Sequence, residues 1–293
     1  MSAKAKWLKV LTSAGLATLA FQCAGAQTGQ AKATVVTPDV ARTIKAAADA
    51  LGMPRTGGPG GALLPEIDVV NRMEILGTGS SSASGQTSKT EYHAALGYNP
   101  PAMRLEMTRT NPGGTPQHTI QTVRDNYAWD ESAIGAGLEP GRGTATPKIA
   151  AVKDRLLHLW VLPYGVVKAA FVAGDKTTVS IEDGATVLTV PLSGELAGVR
   201  LKATLDSKNF ITKVVAQTGG GMDIEADYSD YADHGEILTD VKSPGHIVEK
   251  RGGSTVLDIQ VKTWDANNPY LVFPVPPDVK KAAAQESSKV AEK

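Results

Sequence analysis

The residues of this chain that could do chemistry are spread so widely that no local motif joins them. The five histidines, His93, His118, His158, His234 and His246, stand far apart. None falls in a His-x-His or His-Glu-x-x-His spacing, which would bring two imidazoles to one metal from a single element. His234 and His246 flank one expected hairpin and read as turn and strand residues, with a metal site assembled from distant strands left open. Neither Gly-x-Ser-x-Gly nor Ser-x-x-Lys occurs, so the local serine-hydrolase signatures are missing. Residues 135–141 are superficially similar to a glycine-rich nucleotide loop. They lack its final spacing, and the helix that should follow starts too late. Asp227, Asp230 and Asp233 surround a strand and its turn without the closing acid of a calcium loop, and read as a solvated edge. No catalytic residue, cofactor site or metal site is assigned.

The sharper possibility is apolar. Leu156, Leu159, Trp160 and Phe171 are candidate lining residues of a ligand cavity, while the plainer reading packs the same stripe into a filled core. Four Trp, seven Tyr and four Phe are few for filling a wide curved sheet, which keeps the cavity in view.

The elements that must position this stripe follow from periodicity. Residues 39–51 place Val40, Ile44, Ala47, Ala48 and Leu51 at helical spacing, with Gly52 as the stop. Residues 56–61 read as a Gly/Pro hinge, 72–78 as a strand and 79–89 as a Ser/Gly-rich loop. Residues 103–110 alternate apolar and polar, residues 111–114 turn, and 118–129 return as a strand. Thr146-Pro147 opens a helix carrying Ile149, Val152, Leu156, Leu159 and Trp160; Pro163 and Gly165 break it, and 166–172 resume as a shorter apolar helix. From 177 onward, seven strands (177–182, 186–191, 199–205, 210–217, 222–231, 246–250 and 255–263) are separated by Gly-, Asp- and Asn-rich turns. They describe one antiparallel meander. The expected fold is α+β, with a curved antiparallel sheet of about ten strands, an unclosed barrel, wrapped on the helical pair.

The N-terminus supplies an address. Lys4, Lys6 and Lys9 precede an apolar run at 10–21, and Ala24-Gly25-Ala26 has the small-x-small form of a signal-peptidase site. Residues 1–26 are therefore expected to be a signal peptide, cleaved near Ala26-Gln27, with residues 27–38 a flexible lead-in. The mature chain is then periplasmic or secreted and soluble, since no later stretch is apolar for the roughly 20 residues a spanning helix needs. Cys23, the single cysteine, leaves with the signal, and lipidation there is disfavoured by the bulky Phe21 and Gln22 before it. Without a disulfide, stability must come from burial. Acidic and basic residues balance at 30 each in the full chain, and the loss of three lysines leaves the mature chain mildly acidic. No basic stripe marks a nucleic-acid partner. Residues 39–277 are expected to form one domain and 278–293 a disordered tail.

A series of motifs runs through the body: Ala50-Leu51-Gly52, Gly77-x-Gly79, Gly85-Gln86, Asn99-Pro100-Pro101-x-Met103-Arg104, Ala128-Trp129-Asp130 and Leu162-Pro163-Tyr164-Gly165-x-x-Lys168-Ala169-Ala170. It continues through Tyr228-Ser229-Asp230-Tyr231, Gly235, Pro244-x-His246-Ile247, Leu257-Asp258-Ile259-x-Val261 and Asn267-Asn268. Together these resemble a family of exported bacterial proteins, some of which carry this region ahead of a metallo-β-lactamase-type hydrolase domain. The fold of the region resembles the outer-membrane lipoprotein carriers of the LolA type, an unclosed barrel with helices in its mouth. The resemblance covers most of residues 40–275 and departs from the family pattern at 236–243. It implies a binder of acyl chains or hydrophobic segments, matches no functional carrier residue to a position here, and transfers no hydrolase activity.

Three functional readings follow. The first is a non-catalytic periplasmic carrier, not an enzyme, whose partner is a hydrophobic small molecule, a lipid or a lipoprotein acyl chain. The second is a structural or sensory module that recognises another envelope protein. The third is a hydrolase with a dispersed site.

Overall fold

A computed structural model describes residues 39–53, 70–83, 85–220, 223–235 and 241–291. The expected signal peptide, the lead-in, the 56–61 hinge and most of the 236–243 departure lie outside the described residues. Helix α1 (Val40–Ala50) begins where Asp39 Oδ1 accepts hydrogen bonds from the Ala41 and Arg42 amides, at 3.0 and 3.3 Å. It ends before Gly52, whose φ of 68° belongs to the left-handed region. Its buried face is Ile44, Ala47 and Ala48, the helical spacing seen in the sequence.

The strands are β1 (Arg72–Ala83), β2 (Gln86–Tyr98), β3 (Pro101–Thr110), β4 (Gln117–Arg124), β5 (Tyr127–Glu131) and β6 (Ala145–Pro147). After helices α2 (Val152–Trp160) and α3 (Pro163–Ala173) come β7 (Thr178–Glu182), β8 (Ala185–Pro191), β9 (Arg200–Leu205), β10 (Ile211–Gln217) and β11 (Ile224–Ser229). The short pair β12 (Ala232–Asp233) and β13 (Lys242–Ser243) precedes β14 (His246–Arg251), β15 (Ser254–Ala266) and helix α4 (Pro277–Ala291). Thirteen strands form one antiparallel sheet in the order β6-β5-β4-β3-β2-β1-β15-β14-β11-β10-β9-β8-β7. Two meanders are thus joined at the β1–β15 seam, and β6 and β7 remain as the two edges, so the curved sheet is not closed. Register shifts at Leu76/Gly77, Ile211/Lys213 and Glu249/Lys250 add the local twist that curling needs.

The sheet has three strands beyond the expected ten, each for a physical reason. Residues 79–89, expected as a loop, complete the β1–β2 hairpin. Its small residues pair across strands, with Ser81 and Thr90 hydroxyls 2.7 Å apart and those of Ser82 and Thr87 2.9 Å apart. The glycines there serve a neighbour distant in sequence: a Cβ on Gly79 would lie 1.9 Å from the Asp258 carbonyl oxygen of β15. Gly79→Ala is therefore expected to cost about 1–3 kcal/mol of stability, read as a lower urea midpoint with an unchanged slope. A variant as stable as the parent would show that β15 does not approach so closely. Residues 118–129 divide into β4 and β5 at Asp125, which turns with φ 51°. Thr146-Pro147 belongs to β6, not to the start of the helix: Pro147 pairs with Trp129, and the Lys148 amide reaches the Ala128 carbonyl at 2.8 Å. An edge strand tolerates this proline because its missing N–H faces outward.

The C-terminal segment is also corrected. Residues 277–291 form α4, because Val279 and Ala283, four apart, give it an apolar face that is buried against β5 and β6. The main core lies on the other face of the sheet, where Met73, Ile75, Leu96, Met103, Leu188 and Leu201 pack with the buried residues of α1, α2 and α3. No single described helix is long and apolar enough to cross a membrane.

Candidate functional site

Helices α2 and α3 meet at 98°, and this corner shapes the site. Pro163 starts α3, while Gly165 lies against the end of α2, where a Cβ would sit 2.5 Å from the Leu159 carbonyl oxygen. The bend splits the apolar stripe into surfaces that face different ways. Leu159 is wholly buried in the core. Leu156 and Trp160 border an open groove of about 740 Å³. Phe171, expected beside them, is 59% exposed on the outside of α3 and does not line the groove. The structure therefore brings together two of the four candidate residues, because a helical stripe drawn straight through Pro163 ignores the corner.

The rest of the groove was not legible as a site. Ala169, Val172 and Ala173 form its α3 wall, and Leu192 and Leu196 come from the β8–β9 connection, where Ser193-Gly194 marks only a turn. Two leucines bracketing a turn glycine were the available signal, since a solvated turn has no use for them. Its buried lining residues, Leu156, Ala169 and Leu196, are apolar, and its charged ones, Asp125, Lys176 and Glu195, are exposed. Lys176 and Glu195 line the groove, and neither has an ion-pair partner among the described residues. Asp125 lies 3.7 Å from Arg124. Trp160 stacks at a tilt on Tyr98, with centroids 5.7 Å apart, which fixes its ring at the groove wall. The arrangement can hold an apolar chain with a polar end at the rim.

Two histidine clusters stand outside the groove. On the outer face, His93 lies between Glu74 (Nε2–Oε1 2.7 Å) and Glu106 (Nδ1–Oε1 3.3 Å), and His118 Nε2 is 3.8 Å from Glu106 Oε2. Strand register assembles this ladder from residues that look unrelated in sequence. Among the described residues no three His, Cys, Asp or Glu side chains gather in a group able to hold a metal. His246 pairs with Asp258 at 2.8 Å, and His234 sits in its turn against the Asp230 carbonyl.

The second cluster ties α2 to β14. Glu249, 5% exposed, faces His158 Nδ1 at 2.9 Å and Arg251 Nε at 3.1 Å, and Arg251 Nη1 reaches Asp154 at 2.6 Å. Arg251 Nη2 also donates toward His158 Nε2 at 2.8 Å, a contact that only the neutral imidazole can accept. Burial opposes a charge on His158, but the Glu249 carboxylate outweighs it and holds the pKa above the ordinary value. Burial likewise pushes Glu249 up, and His158 and Arg251 outweigh it to leave the carboxyl lowered. The stability His158 contributes is thus complete below about pH 6.5 and lost as pH rises through its raised value. The contribution of Glu249 is complete above about pH 4.3 and lost as pH falls through its lowered value. In urea titrations, the stability difference between the parent and His158→Gln is expected to be larger near about pH 5.5 than near about pH 9. A difference that does not change with pH would contradict this coupling.

No family model and no curated protein matches the sequence. Among solved structures, the chain is similar to a DUF1329 family protein from Desulfovibrio piger, with 8% sequence identity and a TM-score of 0.47 over 80% of this chain and 96% of that one.

Proposed function

We propose that this chain is an exported, non-catalytic binding or carrier protein for a hydrophobic or acyl-bearing ligand, built as a LolA-type half-barrel. The groove of about 740 Å³ beside the α2–α3 corner carries this reading, because its lining includes Leu156, Trp160, Ala169, Val172 and Leu192 while its charged lining residues are exposed. Apolar pockets with a few polar groups at one end orient amphiphiles. The basic start, apolar run and Ala24-Gly25-Ala26 triplet support release to the periplasm or beyond, near Ala26-Gln27. The His158–Glu249 pair, with Glu249 buried and His158 half-buried, has Arg251 and Asp154 for neighbours and neither residue lines the groove, so the hydrolase reading gains nothing from it.

A second reading, recognition of an envelope protein, has its own observation. Val172 is 75% exposed beside Phe171, and the unpaired edge of β7 follows shortly after. Native mass spectrometry of the purified mature protein separates the two. A bound acyl-bearing molecule of several hundred daltons, released by organic extraction, is the expected result. A bare protein mass that stays bare after incubation with fatty acids and lipopeptides would move the assignment to protein recognition.

A further inference from the structure

The outer face of β1–β4 holds a second hollow, and its chemistry differs from that of the groove. Strand register places Arg72, Gly97, Ala102 and Arg124 in one row across four strands, so two arginines flank a floor of small residues. Three strand spacings leave the two Cα atoms on the order of 14 Å apart, a span that two arginine side chains reach across from opposite sides. The segment after β15 crosses this row. Arg72 Nη1 donates to the Pro269 carbonyl at 3.0 Å and Arg124 Nη1 to the Phe273 carbonyl at 2.9 Å. Leu271 and Phe273 pack on Ala95 and Ala102 as a small outer core, and the Arg104 guanidinium lies 5.8 Å from the Phe273 ring centroid. A hollow of about 310 Å³ remains, bordered by Arg72, Arg124, Leu271 and Phe273.

Holding this segment in place uses one N–H of Arg72 and one of Arg124, out of five on each guanidinium. Arg104 donates no hydrogen bond to any described residue, and its Nε is enclosed without a partner. Neither Arg72 nor Arg104 has a carboxylate within ion-pair distance among the described residues; Arg124 has only Asp125, at 3.7 Å. Arg104, against the Phe273 ring, is not among the residues lining the hollow, whose cationic groups are the guanidiniums of Arg72 and Arg124, with donors to spare between apolar walls. Their forks supply more donors than the two oxygens of a carboxylate accept, whereas a phosphate monoester offers three terminal oxygens and nearly two charges.

We infer that this hollow binds a phosphate monoester, with the phosphate between Arg72 and Arg124 and the organic part against Leu271 and Phe273. This site is independent of the acyl groove. Calorimetric titration of the mature protein with phenyl phosphate is expected to saturate at one site and at least tenfold more tightly than inorganic phosphate. Arg72→Gln should weaken phenyl phosphate at least tenfold; if it does not fold, Arg124→Gln carries the same test. Leu192→Asp, in the groove wall, should leave this affinity unchanged. Co-sedimentation with phosphatidylcholine vesicles containing phosphatidic acid, lost in Arg72→Gln, would assign the phosphate to a lipid head group. Saturation by phenyl phosphate without vesicle binding would assign it to a soluble ester. Absence of saturable binding, or equal affinity in the parent and both arginine variants, would overturn the site and leave the two arginines a purely structural role.

Discussion

Replacing Arg155 with methionine is expected to cost about 3–5 kcal/mol of folding stability. Arg155 is 6% exposed on α2, and its Nη1 donates to the carbonyls of Trp129 and Thr122 at 2.6 and 3.0 Å. Its Nη2 meets Asp130 at 2.5 Å. Asp130 is more than a third exposed and is re-solvated when its partner goes, so most of the loss comes from the two carbonyls. Each buried acceptor left without a donor costs about 1–3 kcal/mol. Arg155→Lys should recover only part, since one ammonium cannot reproduce a planar fork across three acceptors. A urea titration reads the effect as a lower midpoint at unchanged slope. A loss below about 1 kcal/mol would mean that α2 is not anchored to the β4–β5 hairpin through this residue. The consequence reaches the groove, because Leu156 and Trp160 follow Arg155 on the same helix.

Arg155 also shows where sequence reading stops. The stripe of Val152, Leu156 and Leu159 identified α2, and a charged residue beside it reads as solvated until the facing carbonyls are known. The C-terminal meander was legible to within three residues at each strand end, because its strands alternate and turns such as Asp183-Gly184, with φ of 49° and 82°, are marked locally. The β1–β2 hairpin was not, because its Ser and Gly residues answer to β15, far along the chain. The candidate site was half legible. Leu156 and Trp160 follow from periodicity, whereas Leu192 and Ala173 join them only through the α2–α3 corner and the β8–β9 connection. The outer arginines depend on the register of four strands, which no local pattern specifies.

Placing aspartate at Leu192 is expected to weaken binding of an acyl ligand at least tenfold while the protein still folds. Leu192 is half-buried at the groove wall, so its carboxylate keeps some solvent in the free protein. With a chain bound, that carboxylate is pressed against methylene groups without a partner, at a cost of at least about 1.4 kcal/mol for each tenfold loss. Burying roughly 200 Å² of acyl chain at about 25 cal/mol per Å² contributes on the order of 5 kcal/mol before the entropy of association. Micromolar or weaker affinity is therefore expected for the parent, and the variant should show little binding in the same range. Unchanged affinity in Leu192→Asp would place the ligand elsewhere.

The most direct test is a tryptophan-fluorescence titration of the mature protein with fatty acids of increasing length. Trp129 and Trp264 are buried away from the groove, and Trp160 lines it, so a change on binding reports the site itself. The expected result is a saturable change in the parent that vanishes in Trp160→Phe, while the phenylalanine variant still binds by calorimetry. No saturable change at any chain length, or an equal change in Trp160→Phe, would contradict an acyl-binding groove at the α2–α3 corner.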